Sequence, residues 1–297
     1  MKNGIIAVIV AIILLLSGCQ NNTPSVTNPT DADDPIQFAP EKNAQNKYLM
    51  GATNFQEADG YFLGTAEVNG YLLYYDKASG ISGVLCADPS CVHDGNDCGG
   101  NIGGDLSLSY DGKLYWVGPE GSDFMIDYLW QSDLSGMNRT KIMEIPQDEI
   151  IVPYQPQRYV IHQGKLYIMG SSSVVEGTQT GKRKSLLSIP LTGEDGFTTV
   201  YDEVLSNAVD NERYIFLDGF VYISMETLDD MSSRDLTITK VDIAKNTSEV
   251  IYQETDMTEY LGNIWVTENH EIYLTGSTDK EAYLWKLENG EKTEITS

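Results

Sequence analysis

Apolar and polar residues alternate over short segments from about residue 55 to the end of the chain, the period of two typical of half-buried β-strands. Runs such as Leu72–Asp76 and Tyr214–Phe216 combine branched or aromatic side chains, and Gly, Asp, Asn or Ser residues follow them. Beyond residue 19 no segment has a convincing helical period of 3.6 residues. The pattern therefore predicts an all-β protein.

A turn-like dipeptide followed by a short apolar and aromatic run occurs five times. Asp-Gly between such runs is a strong hairpin signal, because the tight turn requires positive φ, which Gly and Asn tolerate. The dipeptides begin at residues 59, 111, 163, 218 and 269, which are 52, 52, 55 and 51 residues apart. They are Asp59-Gly60, Asp111-Gly112, Gln163-Gly164, Asp218-Gly219 and Asn269-His270.

A second predicted hairpin follows in each unit, which makes four short strands per unit. Its turns are Ser79-Gly80, Ser135-Gly136, Thr192-Gly193, Lys245-Asn246 and Asn289-Gly290. Four antiparallel strands repeating about every 50 residues predict a β-propeller, in which thin blades bury their faces against one another. We expect about five blades over residues 46–297. A β-sandwich or two small β-domains would explain the strands but not the nearly constant interval.

The amino-terminal residues have the pattern of an export signal. Lys2 precedes an apolar run, Gly4–Leu16, which is shorter than the about 20 residues of a membrane-spanning helix. The run ends in Leu16-Ser17-Gly18-Cys19, which resembles a bacterial lipobox. That resemblance implies that residues 1–18 are a lipoprotein signal peptide and that Cys19 is lipidated. We therefore expect a lipid anchor on the extracytoplasmic face of the cell membrane; a plain signal peptide or short anchor is the alternative.

Composition refines this picture in two respects. Residues 19–45 are rich in Asn, Thr, Pro and Asp with few large apolar side chains, and they predict a disordered tether. The formal net charge is −25. Such a field repels phosphate backbones, so we expect no nucleic-acid partner.

Three cysteines and one histidine lie close together between the first and second units, in the spacing Cys-x4-Cys-x-His-x4-Cys: Cys86, Cys91, His93 and Cys98. Three thiolates and an imidazole are a ligand set for structural zinc, although the spacing differs from the usual Cys-x2-Cys fingers. In an exported protein, nearby cysteines more commonly form a disulfide, here with one thiol left over. Zinc or another soft metal, one disulfide plus a free cysteine, and a redox or haem role all stay open.

The residues around this cluster are similar to those of a set of uncharacterised β-propeller lipoproteins from Gram-positive anaerobes. The positions that carry the similarity are Leu85-Cys86, Asp88-Pro89, Cys91, His93 and Cys98. The resemblance implies a propeller of the TolB type or a related six-bladed module, and it brings no assigned activity. The five units of this sequence differ from six blades.

The remaining chemistry favours binding over catalysis. His162 lies at the first turn of the third unit and His270 replaces the turn glycine of the fifth, so both are predicted to be local turn residues. No nucleophile elbow, His-Glu-x-x-His pair or phosphate-binding loop occurs. We expect a binding or scaffold module for a protein, peptide or glycan. The alternative, an extracytoplasmic enzyme acting on a carbohydrate or peptide, would need facing carboxylates. The segments Pro119–Asp127, Ser171–Lys184 and Glu226–Asp235 are predicted to be long loops on one side of the propeller.

Overall fold

A computed structural model describes residues 56–296 except 59–60, 66–69, 87, 96–97, 104–106, 121–122, 146–158, 177–178, 195, 206–207 and 231–232. The predicted signal peptide, Cys19 and the predicted tether lie outside the described residues. Within the described ranges the regular elements are all strands. No helix long and apolar enough to cross a membrane occurs in this part of the chain.

The strands of the described part form five four-stranded antiparallel sheets, each built from four consecutive strands in chain order. The first sheet contains β1 (Gln56–Ala58), β2 (Tyr61–Thr65), β3 (Leu72–Asp76) and β4 (Ser82–Val84). The second contains β5 (Ser107–Tyr110), β6 (Lys113–Glu120), β7 (Asp123–Asp133) and β8 (Thr140–Glu144). The third contains β9 (Tyr159–His162), β10 (Lys165–Glu176), β11 (Gln179–Pro190) and β12 (Thr198–Leu205).

The last two sheets repeat the same order. The fourth contains β13 (Ala208–Leu217), β14 (Phe220–Asp230), β15 (Ser233–Asp242) and β16 (Thr247–Met257). The fifth contains β17 (Tyr260–Val266), β18 (Ile272–Ser277), β19 (Ala282–Glu288) and β20 (Glu291–Thr296). The five predicted units of four strands are therefore confirmed.

The first hairpin turns of the second to fifth units each contain at least one residue with the positive φ that their dipeptides predict. Asp111 and Gly112 have φ values of 46° and 70°, the positive values that a tight hairpin turn requires. Asp218 and His270 have φ values of 51° and 63° at the matching turns of the fourth and fifth sheets. Asp59-Gly60 lies outside the described residues.

Successive sheets pack face to face through apolar clusters. Between the third and fourth sheets, the rings of Tyr167 and Phe216 lie 4.7 Å apart and both are fully buried. Corresponding clusters join Leu72 with Leu114, Leu129 with Ile168, and Leu236 with Leu274. Each sheet thus buries its faces against its chain neighbours, which is the packing of propeller blades. Over the described residues the fold is an all-β propeller with five four-stranded blades.

The three segments predicted to be long loops are paired strands instead. The second and third strands of these sheets continue to Glu120↔Asp123, Glu176↔Gln179 and Asp230↔Ser233. The segments were predicted to be loops because they are rich in polar residues. Strand pairing uses hydrogen bonds of the backbone alone, so polar segments can pair as well, and the prediction was wrong. Their placement between the second and third strands of successive sheets is as predicted.

Charged side chains make contacts along the extended hairpins, both within the fourth sheet and between neighbouring sheets. Lys184 Nζ of the third sheet lies 2.8 Å from Glu212 Oε2 of the fourth, and both side chains are largely buried. Arg234 Nε lies 2.7 Å from Oε1 of Glu226, which is 2% exposed. The guanidinium of Arg234 also stacks 3.9 Å above the ring of Tyr260, at the start of the fifth sheet. Pairing makes the burial of these charges tolerable and fixes the hairpins to their neighbours.

Replacing Phe216 by Ala is expected to lower the free energy of unfolding by about 3–5 kcal/mol, because a buried ring is lost from the interface between two sheets. Urea unfolding followed by tryptophan fluorescence measures the change. The control Val250→Ala removes a side chain that is 60% exposed on β16 and should change stability by less than about 0.5 kcal/mol. Equal effects of the two substitutions would contradict the described packing.

Candidate metal centre

The predicted metal ligands lie on the segment between β4 and β5, which connects the first and second sheets. The far end of this segment is fixed to the first sheet. Leu72 N donates to Gly100 O at 2.8 Å, and Ile102 N donates to Gly70 O at 2.9 Å. Tyr71 and Asn101 form the β-bridge between these bonds. The segment is therefore a loop that begins and ends at the same edge of the first sheet.

The structure brings together all four predicted ligands, Cys86, Cys91, His93 and Cys98. Their donor atoms all lie within 4.8 Å of one another, and His93 Nδ1 is 3.3 Å from Cys98 Sγ. Zn–S and Zn–N bonds of about 2.3 and 2.0 Å in a tetrahedron place the donor atoms about 3.5–3.8 Å apart. The group could therefore hold a metal ion after a small contraction.

Two turns aim the thiols inward. Cys91 N donates to Asp88 O, and Cys98 N donates to Gly95 O, each at 3.2 Å. The Asp88 carboxylate in turn accepts from Ser90 N at 2.8 Å and from Ser90 Oγ at 2.7 Å. Such side-chain to backbone bonds hold a turn in one conformation. Local sequence chemistry thus positions the donors.

Gly100 lets the backbone approach the buried sulfur. Its N–H donates to Cys98 Sγ at 3.2 Å. A Cβ at this position would lie 2.4 Å from Val84 Cγ1 and 3.2 Å from Leu85 O. Any side chain at position 100 would therefore push the cysteine segment away from the end of β4.

Arg139 ties the cysteine segment to the second sheet. From the end of the β7–β8 turn its guanidinium donates to Asn101 O at 2.6 Å and to Gly99 O, and its Nε donates to Gly136 O at 3.2 Å. The guanidinium carbon also lies 5.3 Å from the centre of the Trp116 ring. Sequence reasoning missed this residue, since its acceptors are backbone carbonyls about forty positions away.

The electrostatics of the group are asymmetric. Burial opposes ionisation of Cys86, but hydrogen bonds from the Asp88 backbone and from the other two thiols hold its pKa below the ordinary value. A backbone hydrogen bond at His93 favours ionisation of Cys91, but hydrogen bonding with Cys98, burial and the neighbouring Cys86 together outweigh it and raise the Cys91 pKa to about 11. Since the thiolate is the metal-binding form, a cation in the group would ionise all three sulfurs.

The three cysteines carry free thiols in the structure. The alternative arrangement, one disulfide plus one free cysteine, requires two sulfur atoms to approach to about 2.05 Å. Burial lowers the pKa of Arg139, whereas the nearby thiols of Cys98 and Cys86 raise it. A guanidinium beside these sulfurs offsets the negative charge of a set of three thiolates.

The contacts of the other two histidines indicate structural roles. His162 is the last residue of β9, is fully buried against Phe216, and its Nε2 lies 2.6 Å from Asp218 O. Reading His162 as a local turn residue was therefore wrong, because the neighbouring sheet covers this position. His270 does lie in its predicted turn, with Nδ1 2.8 Å from Tyr222 Oη.

No family model and no curated protein matches the sequence. The chain is similar to a solved structure of the nidogen/laminin complex (9% identity, TM-score 0.45, 81% of this chain and 79% of that chain covered). It is also similar to puromycin hydrolase (11%, 0.46, 88% and 42%) and to the Pyrococcus horikoshii acylaminoacyl peptidase (12%, 0.46, 82% and 39%). The chain thus spans less than half of the hydrolase and peptidase chains. Likenesses this distant assign no activity, substrate or partner to it.

Replacing Arg139 by Met is expected to lower the free energy of unfolding by about 2–3 kcal/mol, because three backbone carbonyls lose charge-assisted donors. Denaturant unfolding of the metal-loaded protein tests this. The control Lys141→Met, two residues away, removes an exposed ion pair with Glu120 and a contact of the ammonium group with the Tyr128 ring, and it should lower the free energy of unfolding by no more than about 1 kcal/mol. Equal midpoints for both variants would contradict a linking role for Arg139.

Proposed function

We propose that this chain is a lipid-anchored, extracytoplasmic binding module whose first two blades are fastened together by a zinc ion. The observation that carries the proposal is the convergence of Cys86, Cys91, His93 and Cys98 within 4.8 Å, on the segment between those blades. The molecule that the module binds is a protein, a peptide or a glycan.

Zinc suits this donor set better than the hard cations do. Thiolate and imidazole are soft donors, while calcium and magnesium take oxygen ligands. Three sulfurs and one nitrogen complete a tetrahedron and leave no open position, which is the arrangement of structural rather than catalytic zinc. Bound zinc would carry a net charge of −1 with its ligands, and Arg139 lies beside them to offset it.

The extended hairpins support the binding role. The extended hairpins of the second, third and fourth sheets occupy the same position in each sheet. The ion pair Lys184–Glu212 joins the third sheet to the fourth. Arg234 pairs with Glu226 within the fourth sheet and contacts the Tyr260 ring of the fifth. Surfaces that are already ordered lose little conformational entropy when they bind a partner.

The lipid anchor is proposed from the sequence Leu16-Ser17-Gly18-Cys19. A diacylglyceryl group supplies two acyl chains at about 0.8 kcal/mol per buried methylene, which is enough for stable attachment. Residues 19–45 would then act as the tether between the membrane and the propeller. The binding surface would therefore work close to the outer face of the membrane.

The metal proposal predicts about one zinc per chain after purification under reducing conditions, because the closed four-ligand set has a place for a single ion. Cys98→Ser should abolish stoichiometric zinc in mass-spectrometric metal analysis, since the buried thiol is lost. The control Cys19→Ser removes a thiol outside the cluster and should retain the metal. Metal-free protein with two of Cys86, Cys91 and Cys98 joined in a disulfide would contradict the proposal.

The anchor proposal predicts that Cys19→Ala abolishes incorporation of labelled palmitate and releases the protein from the membrane fraction. The reason is that no other thiol follows the small residues of the export signal. The comparison variant Cys91→Ser should keep both the label and the attachment. Unchanged membrane attachment of Cys19→Ala would overturn the anchor.

A further inference from the structure

A pocket opens on the fourth sheet near its turns, remote in sequence from the cysteine cluster. Its volume is about 440 Å³, within the range of about 300–1,000 Å³ typical of small-molecule sites. Phe220 of β14, Lys240 and Asp242 of β15, and Ser248 and Glu249 of β16 contribute to its walls. An aromatic ring, a hydroxyl and charges of both signs therefore meet in one small cavity.

Two of these charges face each other across the ladder but do not pair. Lys240 and Glu249 are direct partners in the β15–β16 register, so their side chains leave the same face of the sheet. Opposite charges in this relation ordinarily attract. In the described part of the chain neither forms an ion pair, and Lys240 Nζ instead lies 4.2 Å from the centre of the Phe220 ring. The pocket thus holds one positive and one negative group apart.

The other charges of the pocket are already satisfied. Lys245 Nζ lies 2.6 Å from Asp242 Oδ2, and Lys245 N donates to Asp242 Oδ1 at 3.0 Å. This turn pair is electrically neutral, so it neither repels a carboxylate nor competes for one. Lys240 and Glu249 are consequently the two charges left for a ligand.

We propose that this pocket binds a small zwitterion of the amino-acid type, supplied as a free amino acid or as a short peptide. Its carboxylate pairs with Lys240 and its ammonium group with Glu249, while Phe220 contacts the carbon atoms between them. A ligand with one charge would leave one of the two residues unpaired. The inference rests on the proposed binding function and names a ligand class for it.

Isothermal titration calorimetry on the full chain, solubilised in detergent with its metal, tests the inference. The probes are L-alanine and L-alanyl-L-alanine, together with N-acetylalanine and alaninamide, which each lack one charge. We expect at least one zwitterion to bind and both single-charge analogues to bind about tenfold more weakly or worse. Binding of alanine identifies free amino acids as the source, and binding of the dipeptide alone identifies peptides.

Lys240→Gln and Glu249→Gln should each weaken binding of that zwitterion by about tenfold. The control Lys280→Gln changes an exposed lysine of the β18–β19 turn and should leave the affinity unchanged. Zinc content and circular dichroism of every variant report folding, so they separate failure of the pocket from failure of the metal site. No heat from either zwitterion up to about 10 mM, or equal affinity in Lys240→Gln, would overturn the inference.

Discussion

Face-to-face packing between successive sheets is the interaction on which the rest of this structure depends. A four-stranded sheet of three to twelve residues per strand has two faces and cannot bury either face alone. Because the same four-stranded meander is repeated, the faces of successive sheets cover each other. The rings of Tyr167 and Phe216, for example, meet between the third and fourth sheets. Ion pairs such as Lys184–Glu212 continue the contact where the strands extend beyond the apolar part. Hairpins that carry many polar residues can therefore stay in register.

The candidate metal centre lies at the junction between the first two sheets. Among the described residues, the buried cluster at this junction contains Leu72, Ile102, Leu114 and Trp116. The cysteine segment crosses this junction, and Arg139 of the second sheet binds its carbonyl oxygens. Metal binding by that segment would add free energy of folding at this junction. The stability of the fold and the formation of the candidate metal site therefore depend on the same junction.

The features that could be predicted from the sequence are those that depend on residues close together in the chain. Alternation of apolar residues and turn dipeptides such as Asp111-Gly112 depend on neighbours in the chain, so strands and turns could be placed. The cysteine ligands lie within thirteen residues of one another, so their convergence could be expected as well. The surroundings of His162 and Arg139 are formed by parts of the chain that are distant in sequence. His162 contacts Phe216 of the next sheet, and Arg139 contacts the cysteine segment. No periodic pattern reports such contacts, and none distinguishes a polar loop from a polar hairpin.

X-ray absorption at the zinc edge of the purified, reduced protein tests the central claim most directly, because it reports the atoms bound to the metal. A site made by Cys86, Cys91, His93 and Cys98 predicts three sulfur atoms at about 2.3 Å and one nitrogen at about 2.0 Å. The nitrogen should show the outer-shell scattering of an imidazole ring. A first shell of oxygen or nitrogen only, or a protein that takes up no zinc, would contradict the account.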